Sequence, residues 1–305
     1  MTVVTIAGKY RTRDYVDGPG DQARFGTTAG IELTDDGTLY IVDPYNQKIR
    51  KITTDGIVST VNIPKNSRGE SLSRPNLVRV QKDGTINVLA GTNDYMGSPN
   101  KFWIVKPGAT TSITSGKRSI NDDYWVLSKD PYNDYMFIGG LENTFDGLGN
   151  NYQNAFLEKF LPDENGVYGK ERQYLPPPGG YSPVVTSLFC GYNAVKYIVL
   201  HSQALFKLTP SGLFQILYQS NNFVSINDVI ATKDSQTLYI TEGGAIKAIT
   251  KGKVRYLVGP HTNLKGKDGV GANADVYALN LALSKDESTL YFTDNSSRVR
   301  KLLLL

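Results

Sequence analysis

The stretch Gly30-Ile-Glu-Leu-Thr-Asp-Asp-Gly-Thr-Leu-Tyr-Ile-Val-Asp43 decides the fold of this chain. It is followed by Gln47-Lys-Ile-Arg-Lys-Ile52 and by Gly56-Ile-Val-Ser-Thr-Val61. In these segments apolar and polar residues alternate, and Asp, Asn and Gly separate the runs. Such alternation between turn residues is typical of short antiparallel β-strands. The sequence therefore predicts an antiparallel meander over this region.

The same unit returns twice towards the C-terminus. Both Val229-Ile-Ala-Thr-Lys-Asp-Ser-Gln-Thr-Leu-Tyr-Ile-Thr-Glu242 and Leu281-Ala-Leu-Ser-Lys-Asp-Glu-Ser-Thr-Leu-Tyr-Phe-Thr-Asp294 contain Thr-Leu-Tyr, an apolar residue, one further residue and an acid. A connecting loop repeats as well, because Asp17-Gly-Pro-Gly-Asp-Gln-Ala-Arg-Phe25 matches Asp268-Gly-Val-Gly-Ala-Asn-Ala-Asp-Val276. Internal repeats of this length indicate an architecture assembled from similar units.

These repeats resemble those of NHL-repeat proteins. In that family a strand ending in Ala-Gly leads to an Asp-Gly-x-Gly loop and an Ala-x-Phe segment, which match Thr5-Ile-Ala-Gly8, Asp17 to Gly20 and Ala23 to Phe25 here. The resemblance covers roughly 1–62 and 226–305. It implies an all-β fold, a six-bladed β-propeller of four-stranded antiparallel blades. The chain is similar in particular to the NHL-like propeller domains of Bacteroidetes surface lipoproteins.

We predict a single propeller domain over 1–305. Its blades are expected at about 27–62, 75–114, 122–176, 182–219, 226–259, and 278–305 with 3–7. The N-terminal strand Val3 to Ala7 precedes the first unit, whereas the last unit supplies only three strands. In the repeat order that strand should follow Leu302. Pairing the two ends would leave no long unpaired edge, so the N-terminal strand is expected to close the ring.

Composition and charge restrict the partners. The formal charge of +4 on 305 residues is weak, and the densest basic cluster is Lys247, Lys251, Lys253, Arg255, Lys265 and Lys267. We interpret that cluster as solvated hairpin edges, so no nucleic acid partner is expected. No apolar run is long enough for a transmembrane helix. The chain starts directly in a strand and lacks a signal peptide, so either the protein is natively leaderless or the chain is part of a longer protein from which the leader is absent. We expect the second, with a lipid anchor upstream.

The sequence predicts no catalytic residue, no cofactor and no metal site. Cys190 is the only cysteine, which excludes an internal disulfide, and its apolar neighbours predict burial. The related peptidyl-hydroxyglycine lyases depend on metal-bound histidines, but this chain has only His201 and His261. Two histidines cannot complete the usual three-ligand zinc site without another donor. The alternative that stays open is a divalent-metal-dependent hydrolase or lyase with its site in the central channel.

The acids of the repeats are interpreted as architectural. Asp17 and Asp268 are expected to cap turns, and the strand-ending Asp43, Glu242 and Asp294 recur in equivalent places. The glycines of the Asp-Gly-x-Gly loops are expected to adopt backbone angles that other residues resist; they are Gly18, Gly20, Gly269 and Gly271.

Aromatic residues point to binding. Residues 92–192 contain 17 of the 32 aromatic residues, and many of these lie among polar loop residues. Aromatic rings on loops favour sugar stacking or protein contact. The candidate ligand-binding residues are Tyr95, Trp103, Tyr132, Tyr152, Tyr168 and Tyr174, whereas Trp125 is expected in the core. We therefore predict a monomeric, non-catalytic binding module of the cell envelope, extracellular or periplasmic, that engages a protein or glycan through loops on one propeller face.

Overall fold

The computed structural model describes residues 1–91, 99–115, 119, 121–145, 148, 151–163, 166–176, 183–220, 224–261 and 266–304, with the backbone alone at 99–100, 115, 151, 161–163 and 166–170. The described residues form an all-β structure with one short 3-10 helix, Gly271–Asn273. Among them no helix has the length and apolar character needed to cross a membrane.

The strands follow one another as short segments joined by tight turns. Those of the N-terminal half are β1 Thr2–Gly8, β2 Gly18–Pro19, β3 Ile31–Leu33, β4 Leu39–Asp43, β5 Lys48–Ile52, β6 Ile57–Val61, β7 Pro75–Val80, β8 Ile86–Gly91, β9 Pro99–Val105, β10 Ile113–Ser115, β11 Asp122–Lys129, β12 Met136–Phe145 and β13 Asn151–Asp163. The remainder are β14 Gly166–Tyr174, β15 Val185–Cys190, β16 Lys196–Leu200, β17 Ala204–Leu208, β18 Phe214–Gln219, β19 Ile226–Ala231, β20 Thr237–Glu242, β21 Ala245–Thr250, β22 Lys253–Val258, β23 Gly269–Val270, β24 Ala278–Leu283, β25 Thr289–Asp294 and β26 Arg298–Leu303.

These strands build six antiparallel blades arranged in a ring. Blades 1 to 5 consist of β3–β6, β7–β10, β11–β14, β15–β18 and β19–β22, and blade 6 of β24–β26 with β1. The first strand of each blade contacts the first strands of the two neighbouring blades, and β24 contacts β3, which completes the circle. The six-bladed propeller predicted from the repeats is therefore confirmed.

The N-terminal strand closes the ring as predicted. β1 runs antiparallel to β26, from Thr2 opposite Leu303 to Gly8 opposite Arg298, with one irregularity between Thr5 and Ala7. Blade 6 thus takes three strands from one end of the chain and one from the other. Loss of either end would expose a strand edge in the last blade.

The core of the described residues consists of six apolar clusters, and the buried members of each come from two successive blades. One cluster joins Ala7 and Val299 of blade 6 to Ile31 and Ile41 of blade 1. The alternating pattern of each strand directs side chains to both faces of its blade, and each face packs on a neighbouring blade. Both faces are buried in this way, which explains the long apolar runs in the inner strands.

The loop aspartates do more than end a turn. The Asp268 carboxylate accepts hydrogen bonds from the Thr5 backbone N–H (2.7 Å) and from the Arg300 guanidinium (2.6 Å). Asp17 likewise accepts from the Thr60 N–H (3.0 Å) and from Arg50 (2.5 Å). Each loop is thereby fixed to the outer strand of the blade that follows it, so the architectural interpretation of these acids is supported.

The four loop glycines are needed for two different reasons. Gly18 (φ +130°) and Gly271 (φ +54°) have backbone angles that disfavour other residues, as predicted. For Gly20 and Gly269 that prediction is wrong. A Cβ on Gly20 would lie 2.1 Å from the Ile6 carbonyl oxygen, so this position requires glycine because two backbone segments approach closely. A Cβ on Gly269 would meet a backbone oxygen at 2.6 Å.

Candidate functional site

A cavity of about 490 Å³ opens at one end of the central channel. The innermost strands of the six blades run in the same direction, so their C-terminal ends meet at this end of the ring. We call this opening the channel mouth. Its lining includes one residue from the end of each innermost strand: Leu33, Val80, Lys129, Cys190, Ala231 and Leu283. Its volume lies within the range of about 300–1,000 Å³ common for small-molecule sites.

Three charged side chains from three blades meet in the channel. The Lys129 ammonium lies 2.7 Å from Glu32 Oε1 and donates to the Val80 carbonyl oxygen at 2.5 Å. The Arg79 guanidinium lies 3.8 Å from Glu32 Oε2 and donates to the Val78 carbonyl at 2.8 Å. One carboxylate therefore faces two cations, and these three side chains carry a net positive charge.

A second, buried carboxylate lies on blade 5. Asp228 accepts hydrogen bonds from the Ser187 hydroxyl (2.8 Å), the Leu281 N–H (2.8 Å) and the Val229 N–H (3.0 Å). Burial raises the pKa of Asp228 above its usual range, although these hydrogen bonds and the charge of Arg79 act in the opposite direction. Asp228 thus joins the innermost strands of blades 4, 5 and 6 below the channel mouth.

Tyrosines form part of the rim of the mouth. The rings of Tyr132 and Tyr192 meet edge to face, with centroids 5.7 Å apart and an interplanar angle of 90°. Tyr192 and Tyr40 line the cavity, and burial raises the pKa of both hydroxyls, with nearby carboxylates adding to the shift. Tyr132 is 59% exposed, so its ring is available to a ligand that approaches the rim.

The predicted site residues do not form one cluster. Tyr132 lies in the hairpin after β11, at the channel-mouth end of blade 3, whereas the exposed Tyr152 and Tyr174 lie where β13 begins and β14 ends, at the opposite end. Tyr95 lies outside the described residues. For Tyr168 only the backbone is described, and it pairs with Leu161 in the outer hairpin.

Trp103 belongs to the core instead of a binding loop. It is 2% exposed, lies in β9 opposite Val88, and packs in the cluster shared by blades 1 and 2. The strand-like pattern of Phe102 to Val105 indicated the structure correctly. The polar residues that precede it suggested a binding loop, and that interpretation was wrong. Trp125, expected in the core, is only half-buried. Cys190 is buried as predicted, and burial raises the pKa of its thiol to about 11.

An ion cluster fixes the end of blade 3 that carries Tyr174. The Arg172 guanidinium donates to Asp122 (2.8 Å), Glu158 (2.6 Å) and Glu142 (3.3 Å), and the Tyr174 hydroxyl donates to Glu142 (2.8 Å). This hydrogen bond raises the pKa of Tyr174, with burial adding to it. Burial would lower the pKa of Arg172, but its hydrogen bonds to the carboxylates outweigh that effect and raise it. The cluster joins the inner and outer strands of the blade.

One position in each blade could have indicated the channel from the sequence, but it lies within the repeated segments. In each blade the hairpin between the first and second strands is closed by a backbone hydrogen bond. The residue that lies two positions before the N–H donor of that bond lines the cavity. Those six equivalent residues are Glu32, Arg79, Ser128, Phe189, Ile230 and Ala282. They differ in every blade. Ile230 and Ala282 also pack in the apolar clusters between blades, whereas Glu32 and Arg79 place charge in the channel. These two charged residues are the members of the set that the packing of the blades does not require.

Comparison with known proteins supports the architecture. No model of a known protein family matches the chain, and no curated protein matches it. Solved structures do. An auxiliary nutrient binding protein from Bacteroides ovatus has a TM-score of 0.70 at 13% identity, covering 98% of this chain and 76% of that one. The chain is a six-bladed β-propeller.

Two enzymes have the same fold. A virginiamycin B lyase from Staphylococcus aureus gives a TM-score of 0.61 at 12% identity, covering 92% of this chain and 95% of that one. A gluconolactonase from Xanthomonas campestris gives 0.63 at 9% identity, with coverage of 99% and 89%. At these identities the likeness shows the fold alone, because one propeller architecture supports unrelated functions.

Proposed function

We propose that this protein is a non-catalytic binding module that holds a glycan at the channel mouth. The observation that carries the proposal is the set of six cavity-lining residues that differ from blade to blade. Around them, Tyr40, Tyr132 and Tyr192 supply aromatic surface at the rim. Rings beside a few well-placed polar groups are typical of sites that bind small polar molecules.

The charges of the channel favour a neutral ligand with many hydroxyl groups. Glu32 already accepts Lys129 and faces Arg79, so a charged ligand would have to compete with an existing ion pair. A sugar hydroxyl both donates and accepts hydrogen bonds, and so it can bond to the carboxylate and to the cations without displacing either. A protein loop inserted into the mouth is the other ligand class that this surface suits.

The repeats and the structural neighbours support a location at the cell envelope. We propose that the chain is an NHL-like propeller of a surface lipoprotein, as its Asp-Gly-x-Gly loops and Ile-Arg-Lys-Ile strand suggest. The Bacteroides ovatus neighbour is named an auxiliary nutrient binding protein, which agrees with a role in holding nutrients outside the cytoplasm.

The test is binding of a panel of neutral oligosaccharides, measured by calorimetry on the wild type and on two matched tyrosine variants. Tyr192→Ala removes a ring at the mouth, whereas Tyr152→Ala removes an exposed ring at the opposite end of blade 3. We expect several-fold weaker binding for Tyr192→Ala and unchanged binding for Tyr152→Ala. The reverse pattern would locate binding at the other face, and no binding to any sugar would contradict the glycan proposal.

A metal-dependent hydrolase or lyase is the second candidate, because the innermost strands place the carboxylates of Glu32 and Asp228 near the channel. Two features disfavour it. Glu32 is engaged by two cations, and the described residues contain no group of three or more His, Cys, Asp or Glu that could hold a metal ion. A melting temperature that falls with EDTA and recovers with calcium would favour the enzyme, since a bound ion stabilises the folded state by mass action.

A further inference from the structure

The outer strand of blade 5, β22, lacks a cover that blades 1 and 6 possess. In blade 1 the short strand β2 pairs with the outer strand β6, Gly18 opposite Val58. In blade 6 β23 pairs with the outer strand β1, Gly269 opposite Val3. Within the part of the chain that the structure describes, no strand pairs with the outer edge of β22. The fold therefore shows twice what fits this edge. Among the described residues the outer strands of blades 2, 3 and 4 have no covering strand either, but their second strands do not end in an acid, as those of blades 1, 5 and 6 do.

Three equivalent valines show the difference between the covered outer strands of blades 1 and 6 and the open outer strand of blade 5. Val58, Val3 and Val254 occupy the same register, opposite Ile52, Leu302 and Ile249 of the neighbouring strand. Val58 and Val3 are each 1% exposed, whereas Val254 is 44% exposed. The covering loops bury the first two, with Ala23 and Phe25 packing in the cluster of Val58 and with Ala274 and Val276 packing in that of Val3. Val254 is an apolar residue in a covered position whose cover is missing.

The covering loops also contribute an acid. In blade 6, Arg300 bonds to Asp294 of its own blade (2.8 Å) and to Asp268 of the covering loop (2.6 Å). Asp268 in turn accepts the outward-pointing backbone N–H of Thr5. Blade 1 repeats this arrangement with Arg50, Asp43, Asp17 and Thr60.

Blade 5 contains only the first half of this arrangement. Lys247 occupies the place of Arg300 and bonds to the Glu242 carboxylate of its own blade. Tyr256 lies opposite Lys247, in the place of Thr5. Among the contacts of the described residues, Lys247 has no second acid in the position of Asp268. The place for a carboxylate beside Lys247 and the Tyr256 N–H is formed by the blade itself.

The length of the connection explains why the chain does not cover this edge itself. The loops that cover blades 1 and 6 occupy residues 9–30 and 259–277, between the preceding outer strand and the next inner strand. The corresponding connection into blade 5 is only 220–225. At about 3.3–3.6 Å per residue, such a segment cannot cross the blade, pair with β22 and return.

We propose that the edge of β22 binds an extended acidic segment of a partner protein, which adds as an antiparallel strand. The partner's carboxylate takes the place of Asp268 beside Lys247, and a small apolar side chain covers Val254. The exposed Lys253 and Arg255 attract such a segment and disfavour pairing with a second copy, whose β22 would bring the same charges. Strand addition to an open sheet edge is a general mode of peptide recognition. The inference does not depend on a ligand at the channel mouth.

The chain supplies its own probe, a synthetic peptide of residues 266–276. In the intact protein the edges of β1 and β6 are already covered. Among the outer strands without a covering strand, β22 is the one beside a cation and a strand-ending acid, Lys247 and Glu242, so a peptide added in trans should bind there. We expect it to shift the backbone amide resonances of residues 253–256, and we expect a peptide with Asp268→Asn to bind about tenfold more weakly, because a charged hydrogen bond is lost. Lys247→Met should weaken binding similarly, with Lys48→Met as an exposed-lysine control.

Val254→Pro removes an outward N–H and should abolish binding, and its melting temperature shows whether the blade has stayed folded. The Asp268→Asn peptide leaves the protein itself unchanged, so it decides the matter if the proline variant unfolds or if Lys247→Met, which removes the cation beside the buried Glu242, lowers the melting temperature. The proposal is overturned if the peptide leaves the amides of 253–256 unshifted, or if Lys247→Met and the Asp268→Asn peptide bind as tightly as the originals. It is also overturned if the wild type sediments as a dimer that Val254→Pro dissociates, because the occupant is then a second copy.

Discussion

Lys129 of blade 3 binds Glu32 of blade 1 at 2.7 Å, although blade 2 lies between these blades in the ring. The ion pair is therefore a direct connection across the channel, in addition to the apolar clusters that join only neighbouring blades. Arg79 of blade 2 faces the same carboxylate at 3.8 Å. Glu32 thus links three successive innermost strands through one side chain.

Removing the charge of Glu32 should destabilise the propeller. Glu32→Gln keeps the shape of the side chain but leaves Lys129 and Arg79 with uncompensated charge in a poorly solvated channel. We expect a loss of about 1–2 kcal/mol in the free energy of unfolding, below the cost for a fully buried pair because these side chains are partly solvated. Urea denaturation measures the loss. A double-mutant cycle with Lys129→Met isolates the pair, and a coupling energy near zero would contradict the role assigned to it.

Ring closure should depend on the first eight residues. Deletion of 1–8 removes β1, exposes the edge of β26 and uncovers Leu302, which the closed ring buries. We expect a lower melting temperature and concentration-dependent aggregation, because an unpaired apolar edge is a template for other chains. Differential scanning calorimetry and light scattering report the two effects. Melting that is unchanged by the deletion would argue against the closed ring.

A matched valine pair tests the covered edge without altering the chain length. Val3→Ala removes two methyl groups from a buried position and should cost about 1.5 kcal/mol of stability. Val254→Ala removes the same groups at the equivalent position of blade 5, which is exposed, and should cost little. Equal losses for the two variants would mean that the edge of β22 is covered in solution.

The sequence predicted the fold because the fold is repeated. Thr-Leu-Tyr and the terminal acid recur at Asp43, Glu242 and Asp294, and all three are buried at strand ends. The part of the chain between the clear repeats, about 63–225, could be divided into blade-sized segments from the sequence. The sequence did not show which of its side chains are buried. Trp103 follows polar residues along the chain, yet a strand places it against blade 1. Burial of that kind depends on which face of a blade meets its neighbour, and the local pattern does not determine this.

The candidate site was harder to foresee, because its residues come from different blades. Glu32 and Arg79 are separated along the chain and lie within similar apolar strands, so each looks like an isolated polar residue in a repeat. Asp228 lies in the region 226–305 that resembles the family, but it comes one residue before the repeated segment that begins at Val229. Alignment of the blades by their first hairpin shows these positions, but only the ring brings them into one channel.

The stability of the protein should depend on pH through Asp228. Its pKa is raised in the folded state, so the folded protein binds more protons than the unfolded chain between the ordinary value of 3.8 and the raised value. Within that window stability falls as pH rises, and the loss is complete above the folded pKa. Asp228→Asn lacks this titration. We expect the difference in unfolding free energy, wild type minus variant, to decrease as pH increases from about 4, measured by urea denaturation. A constant difference would contradict a raised pKa.

Trp103 and Tyr132 should respond differently to truncation, although the sequence suggests the same role for both. Trp103→Ala leaves a cavity between blades 1 and 2 and should cost about 3–5 kcal/mol, because an indole in a packed core is lost. Tyr132→Ala removes an exposed ring and should leave stability nearly unchanged while weakening capture of a ligand at the channel mouth. Paired thermal melts and oligosaccharide titrations for the two variants measure both effects. If Trp103→Ala melts like the wild type, the indole is not part of the core. If Tyr132→Ala binds the ligand as tightly as the wild type, the Tyr132 ring does not contribute to binding at the channel mouth.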